Sequence, residues 1–239
     1  MSSMPRNQRR DFGRILLVLG ILAISLYGCW QWKYPSTTWR YRLTIAVEAD
    51  GQVHEGSGVV EVTFSRVPAP LPEMRSVDTE IRGQAVFVDL GARGNLAAII
   101  PGYRSTERPK SDSLSHLSQN VFRERNPDFN IYDMRSMTGV VEISPELLPA
   151  LVYFKNVNDP ASHVIVDPGD MAAAYGAGVE IRSVSIEVTR DPVTTGIEDK
   201  LPLLKSLARG DALLAPGMSP AYPLYPQYFY RNTYKDVRS

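Results

Sequence analysis

Serine, aspartate and histidine occur together in "SDSLSHLS", residues 111–118, around His116. These residue types supply the nucleophile, the orienting acid and the base of many hydrolases. A catalytic triad requires that the three groups converge in space beside an oxyanion hole, and neighbouring sequence positions provide neither condition. The chain also lacks the G-x-S-x-G motif of a nucleophile elbow. We therefore interpret 111–118 as a polar segment and predict no catalytic residue.

Metal binding is the second chemistry that the side chains could support. The three histidines lie far apart in the sequence, and a single cysteine excludes a cysteine-rich zinc site and an intrachain disulfide. Segment 155–170 offers carboxylate and amide oxygens of the kind that calcium prefers, but the EF-hand spacing is absent. N-D-P and D-P-G-D are equally good turn and cap signals, so we predict no metal site and no cofactor. The residues concerned are His54, His116, His163, Asn156, Asn158, Asp159, Asp167 and Asp170.

Nucleotide binding has no support in the sequence. "GAGVE" at 176–180 is too short for a dinucleotide fingerprint, and a phosphate-binding G-x-x-x-x-G-K-[ST] loop is absent. Lysine plus arginine equals aspartate plus glutamate at 26 each, so the net charge is zero. Proteins that bind nucleic acid usually carry a basic footprint, and we predict no nucleic-acid partner.

The N-terminal region predicts a membrane anchor. Four arginines lie within residues 1–14, and the run from Ile15 to Trp30 contains no charge. Extended to residue 32, the run has 18 residues and spans roughly 27 Å as a helix, close to a bilayer's hydrocarbon thickness. Because cytoplasmic flanks are rich in Lys and Arg, we predict a cytoplasmic segment 1–14, a transmembrane signal anchor 15–32 and a stalk 33–37.

Cys29 leaves an alternative for this anchor. A lipoprotein signal would place Leu26, Tyr27 and Gly28 before an acylated Cys29, although Tyr27 occupies a position where a small residue is usual. A cleaved ordinary signal peptide would need an A-x-A-like pair, which is not well placed here. An uncleaved anchor requires only charge asymmetry and apolar length, and it also explains the aromatic residues that follow, so we favour it. Cys29 remains the candidate lipidation site.

Alternating apolar residues predict a β-rich domain over residues 38–214. "TWRYRLTIAVEA" and "VVEVTFSR" read as two half-buried strands, joined through a long hairpin loop in "DGQVHEGSG" that would contain His54. "SVDTEIRGQAVFVDLG" reads as another strand pair, and further strands follow in "MTGVVEIS", "ALVYFKN", "HVIV" and "VEIRSVSIEVT". The fold class that follows is α+β, with a mostly antiparallel sheet and a few short helices.

Helices are predicted at three places. "SDSLSHLSQNVF" indicates a weak helix inside the polar excursion 101–130. Asp167 can cap a second helix with Pro168 in its first turn, and Gly176 or Gly178 ends it. A third, in "TTGIEDKLPLLKSLARG", is interrupted near Pro202. The strand between the last two helices carries Glu180 and Glu187, which we interpret as surface charges.

The tail 215–239 is rich in proline and tyrosine. A segment of this kind either docks in a groove of a partner protein or folds back to cover an edge of its own sheet. We favour folding back, because so many exposed aromatic side chains would promote aggregation. The aromatic residues are Tyr222, Tyr225, Tyr228, Phe229, Tyr230 and Tyr234.

Three stretches carry a resemblance to a known family: "YRLTIAVEADGQVHEGSGVVEV", "GQAVFVDLG" and "NDPASHVIVDPGDMAAAYGAGVEIRSVSIEVTRDPVTTGIEDKLP". They resemble a functionally uncharacterised family of small bacterial membrane-anchored proteins, over about half of the chain. The resemblance implies a bacterial envelope protein and transfers no functional residue.

These features together predict a single-pass protein of the bacterial inner membrane with a periplasmic domain. The function expected is binding or structural, with an envelope protein as partner. The rival is a membrane-anchored hydrolase whose site is built from segment 101–130 with His116.

Overall fold

The computed structural model describes residues 6–69, 71, 76–101, 113–143, 147–208, 210–213 and 224–231, and side chains from residue 15 to residue 230 within these ranges. The helices are α1 (Arg6–Lys33), α2 (Leu114–Arg125), α3 (Met171–Tyr175), α4 (Ile197–Lys200) and α5 (Leu203–Ser206). The strands are β1 (Ser36–Ala49), β2 (Gln52–Arg66), β3 (Val77–Gln84), β4 (Val86–Asp89), β5 (Asn95–Ala98), β6 (Val140–Glu142), β7 (Leu151–Phe154), β8 (His163–Val166), β9 (Val179–Thr189) and β10 (Tyr230–Arg231). This arrangement confirms the predicted α+β class.

Helix α1 contains the apolar run. Its stretch Ile15–Lys33 is exposed throughout, and among the described residues it is the one helix long and apolar enough to cross a membrane. Chain contacts divide the described residues into two units, one holding α1 with part of 64–78 and the other holding 38–63 and the residues after 78. In the first unit, Arg66 N–H donates to the Pro35 carbonyl at 3.0 Å, and the Ser36 and Ser65 hydroxyls bond at 3.0 Å.

A six-stranded sheet has the order β10-β3-β2-β1-β9-β6. After its exposed first residue, strand β1 alternates between buried and half-buried residues, which confirms the predicted half-buried strand; Tyr41, Leu43, Ile45 and Val47 are buried. Strand β9 pairs antiparallel with β1. Its Val184 and Ile186 are buried, and Val188 is only partly buried.

The turn between β1 and β2 is shorter than the sequence suggested. Asp50 and Gly51 both have positive φ, 53° and 80°, as a two-residue hairpin turn requires. Strand β2 therefore begins at Gln52, and the predicted loop through Gly58 is wrong. His54 lies on this strand. Gly56 is needed for packing, since a Cβ there would lie 2.3 Å from the Phe87 carbonyl oxygen.

A second sheet has the order β4-β5-β7-β8. The predicted pairing within 76–91 is wrong, because β3 belongs to the six-stranded sheet and β4 to this one. The chain changes sheets at Ala85, whose N–H donates to the Phe229 carbonyl at 2.8 Å. Strand β5, which the sequence analysis did not predict, pairs with both β4 and β7. One face of this sheet forms a core with α4, α5 and the segment from Leu224.

The helix predicted within 111–122 is confirmed over its described residues as α2, which begins at Leu114 and continues to Arg125. The Ser113 hydroxyl caps it by accepting from the Ser115 N–H, and Leu114, Leu117 and Val121 are buried. Two side chains of β1 hold the helix in place. Trp39 Nε1 donates to the Ser118 hydroxyl at 3.0 Å, and the Tyr41 hydroxyl donates to the Leu114 carbonyl.

The shorter helices correct one prediction and confirm another. Helix α3 has Asp170 as its N-cap, so the predicted cap at Asp167 with Pro168 is wrong. Asp167 instead accepts from the Gly169 N–H and forms the preceding turn. The end of α3 at Gly176 is as predicted, and the predicted interruption near Pro202 separates α4 from α5.

Residues 224–231 fold back onto the protein. Leu224 and Phe229 are fully buried, and β10 extends the sheet by pairing Tyr230 with Gln84 of β3. This confirms self-packing for that part of the tail, while Tyr222 and Tyr234 lie outside the described residues. Residues 224–231 are therefore part of the folded domain.

Candidate functional site

The outer face of the six-stranded sheet carries paired charges across neighbouring strands. Arg40 of β1 bonds Glu61 of β2 at 2.7 Å, and Arg82 of β3 lies 3.8 Å from the same carboxylate. Arg42 of β1 pairs with Glu187 of β9, its register partner, at 3.2 Å and also contacts Asp191. Exposed ion pairs add little stability, but opposite charges facing each other favour this strand register.

A cavity of about 460 Å³ lies where β1 begins and β9 ends. We call it the arginine groove. Three arginines and one glutamate line it, a formal net charge of +2, together with three threonines and apolar side chains. Its residues are Thr38, Trp39, Arg40, Glu61, Arg135, Met137, Thr138, Val188, Thr189 and Arg190.

Three elements position the arginines of the groove. Alternation along β1 directs Arg40 to the outer face. Arg135 lies in a 3-10 turn, Ile131–Ser136, capped by the Asn130 side chain, and its Nε donates to the Thr38 carbonyl at 2.5 Å. Arg190 follows directly after β9 and is exposed. The groove thus depends on a strand start, a strand end and a capped turn.

A second cavity of about 270 Å³ shares Arg40 with the groove. It is lined by Arg82, Gln84, Glu198 and Tyr230 and by the loop 192–195. This loop is fixed on β2, since Thr194 N–H donates to the Val59 carbonyl and the Thr194 hydroxyl accepts from the Val59 N–H. Two arginines and one glutamate make this cavity less basic than the arginine groove.

The structure does not bring the three histidines together. His54 lies on β2, His116 on α2, and His163 is buried with Nδ1 2.8 Å from the Pro160 carbonyl oxygen. The described residues include no group of three or more His, Cys, Asp or Glu that could hold a metal ion. Glu187 and Glu180 both take part in surface ion pairs.

The acid and amide cluster of 155–170 forms turns and caps. Asn156 accepts from the Asn158 N–H at 3.0 Å, and Asp159 accepts from the Ala161 N–H at 2.9 Å. Asp167 and Asp170 accept from backbone N–H groups in the same way. Each of these four side chains therefore has a local backbone partner, which is the turn chemistry that its sequence signal indicated.

Segment 113–116 contains a chain of hydroxyl groups. The Ser113 and Ser115 hydroxyls are 2.6 Å apart, and the Ser115 hydroxyl lies 3.0 Å from His116 Nδ1. Both serines line a cavity of about 150 Å³. Asp112, the acid of the predicted motif, lies outside the described residues.

Asp50 and Arg93 form a second polar centre. Arg93 Nε donates to Asp50 Oδ2 at 2.7 Å and a terminal nitrogen donates to Oδ1 at 2.5 Å. The hydrogen bond from Arg93 holds the pKa of Asp50 below its usual value. Arg93 also donates to the carbonyls of Tyr175 and Ala177, so this pair joins the hairpin turn to the end of α3 and is structural.

No motif in the sequence predicted the arginine groove. Alternation predicted that Arg40 faces outward, but no spacing motif connects it to Arg135 or Arg190, which lie 95 and 150 positions further on. A comparison of the chain with family models, curated proteins and solved structures found no match in any of the three.

Proposed function

We propose that the chain is a single-pass anchored protein of the bacterial inner membrane whose β-rich domain is a periplasmic binding module. The observation that carries this proposal is α1, whose stretch Ile15–Lys33 is exposed along its whole length. A water-soluble protein would bury such a stretch, because moving each apolar side chain out of water lowers the free energy. A bilayer provides that environment.

The flanks of the helix support the orientation. Four arginines precede the apolar run, and the positive-inside rule assigns such a flank to the cytoplasm. At the other end, Trp30 and Tyr34 have ring centroids 4.7 Å apart, and Lys33 lies over the Tyr34 ring. Aromatic and basic side chains of this kind are typical of a membrane interface. The envelope location also agrees with the family resemblance.

A hydrolase is the second candidate, favoured by the 3.0 Å contact between the Ser115 hydroxyl and His116 Nδ1. The neighbouring Ser113 hydroxyl has a structural role, because it caps α2 by accepting from the Ser115 N–H. The His116 and Leu117 N–H groups already donate to the Ser113 carbonyl and are not available to form an oxyanion hole. The nearby cavity of about 150 Å³ is also smaller than typical ligand sites of about 300–1,000 Å³. Binding is therefore the better-supported function.

Labelling of single cysteines tests the topology. In a Cys29→Ser background, Val53→Cys introduces a thiol at an exposed position of β2, and Ser3→Cys introduces one before the anchor. A membrane-impermeant maleimide should label the Val53 variant in spheroplasts and the Ser3 variant only after lysis. The reverse pattern would contradict the proposed orientation, and labelling of both sites before lysis would contradict a membrane span.

Ester hydrolysis by the full chain in detergent tests the rival. We expect no turnover above the buffer rate. Turnover that both Ser115→Ala and His116→Ala abolish, while His54→Ala retains it, would replace the binding function with a hydrolytic one.

A further inference from the structure

We propose that the arginine groove binds a small organic anion, with Arg135 and Arg190 as the groups that recognise its carboxylate or phosphate. This inference rests on the proposed binding function and names the class of ligand. The groove's volume of about 460 Å³ falls in the range of about 300–1,000 Å³ that is usual for small-molecule sites.

The first argument is the number of hydrogen-bond donors left over. On the same sheet face, Arg40, Arg42 and Arg82 each have a carboxylate partner. Arg190 has no ion-pair partner among the described residues, and Arg135 uses its Nε on the Thr38 carbonyl. A guanidinium group has five N–H donors. The two terminal nitrogens of Arg135 therefore remain for a ligand, and so does the whole guanidinium of Arg190.

The second argument is preorganisation. The 2.5 Å bond from Arg135 Nε to the Thr38 carbonyl restrains the guanidinium. Its two terminal nitrogens provide a pair of donors, the arrangement that binds a carboxylate or phosphate in bidentate fashion. Glu61, the acidic residue of the groove, already bonds Arg40 and lies near Arg82, so its single negative charge is engaged by those arginines and is not paired with Arg135 or Arg190.

The third argument is the mixed character of the wall. Met137 and Val188 provide apolar contact beside the threonines Thr38, Thr138 and Thr189, whose hydroxyls can donate or accept. An inorganic ion would leave most of this wall uncovered. A molecule with an anionic group and an apolar portion fits both features.

Calorimetry on the full chain in a neutral detergent tests the proposal with three probes that share a phenyl group: phenyl phosphate, benzoate and benzyl alcohol. We expect one or both anions to bind and the neutral alcohol not to bind. The ratio of the two anions' dissociation constants shows whether the groove prefers a phosphate or a carboxylate. Raising the salt concentration should weaken binding, because exposed charges are screened.

Arg190→Gln is the decisive variant, since Arg190 is exposed and its loss should not affect folding. Arg190→Gln and Arg135→Gln should each weaken anion binding about tenfold or more. Arg182→Gln is the matched control, because Arg182 is an exposed β9 arginine outside the groove, and it should bind like the parent chain.

Three outcomes would overturn the proposal: no anion binding up to about 10 mM, equal binding of the alcohol, or an equal loss in Arg182→Gln. None of these outcomes bears on the cysteine labelling, so failure of the ligand class and failure of the membrane topology are distinguishable.

Discussion

Asp50 combines two roles at one position. It adopts a positive φ of 53° in the β1–β2 turn, and its carboxylate forms a bidentate ion pair with Arg93. Asparagine tolerates the same backbone conformation, so Asp50→Asn removes the charge and leaves the turn intact. The two contributions of this residue can therefore be separated experimentally.

We expect Asp50→Asn to lower the thermal midpoint at pH 7 and to have a smaller effect in acid. Because the folded-state pKa of Asp50 is lowered from 3.8 by Arg93, its charge stabilises the fold above pH 3.8 and that contribution is lost as the pH falls through the lower value. Circular dichroism of the full chain at several pH values measures this. Asp128→Asn, at an exposed turn residue, is the control at pH 7. A midpoint difference that does not change with pH would mean that the ion pair is not the cause.

The buried side-chain amide of Asn95 replaces backbone hydrogen bonds between two strands. Its Nδ2 donates to the Phe154 carbonyl at 2.8 Å, and its Oδ1 accepts from the Phe154 N–H at 3.1 Å. The side chain thus continues the hydrogen bonding of β5 and β7 beyond the pair Ala97–Val152. The two hydrogen bonds of this side chain therefore do the work of a backbone hydrogen-bond pair between β5 and β7.

Asn95→Ala should destabilise the domain by about 1–3 kcal/mol for each Phe154 group left without a partner. Tyr175→Phe provides a graded comparison, because it removes only the bond from the Tyr175 hydroxyl to the Asn95 carbonyl. It should cost about 1–3 kcal/mol for that one carbonyl, less than the two Phe154 groups together. Denaturant unfolding measures both variants. Equal losses in the two would show that Asn95 does not extend the sheet.

At the scale of elements, alternation predicted most of the strands, though not β5, and the hairpin of β1 and β2, but not how the later strands pair. The alternation in β1 and β9 indicates burial of one face, which follows locally from side-chain type. The pairing of β3 with β10 depends instead on Gln84 meeting Tyr230, which lies 146 positions away. No local pattern encodes that contact. The arginine groove was missed for the same reason, since its residues converge only when strand ends meet a distant turn.

The C-terminal segment 224–231 folds back, as the sequence predicted, and contributes to both sheets. Phe229 packs against Phe154 with ring centroids 5.7 Å apart, and its carbonyl accepts from Ala85 at the point where the chain changes sheets. Burial of this side chain therefore stabilises both the core of the four-stranded sheet and the edge strand β10 that follows it. The segment belongs to the fold.

Phe229→Ala should lower the free energy of unfolding by about 3–5 kcal/mol, the usual loss for a buried phenylalanine. Tyr225→Ala is the matched control in the same segment, because Tyr225 is only partly buried, and it should cost less. Urea unfolding of both variants makes the comparison. A loss for Tyr225→Ala as large as that for Phe229→Ala would contradict the anchoring role of Phe229.

At the scale of the whole molecule, the β-rich domain buries its apolar side chains in its own core, whereas the side chains of the apolar helix are exposed. The unit that contains 38–63 and the residues after 78 buries the apolar faces of two sheets, whereas Ile15–Lys33 is exposed. Exposure of the helix predicts attachment through the helix itself. Cys29 is also exposed, and acylation there would give attachment through a lipid after the helix is removed.

The intact mass of the chain extracted from its membrane separates the two attachments, because removal of the helix would leave a chain that begins at residue 29. If α1 is the anchor, this mass should include residues 1–28, and the chain should remain in the membrane fraction after an alkaline wash. Ile24→Arg is the matched variant, because an arginine near the centre of a span costs about 2.5–3.5 kcal/mol and should reduce membrane insertion. A mass that begins at an acylated Cys29 would show that the helix is a signal. The anion-binding domain would then be held at the membrane by lipid alone.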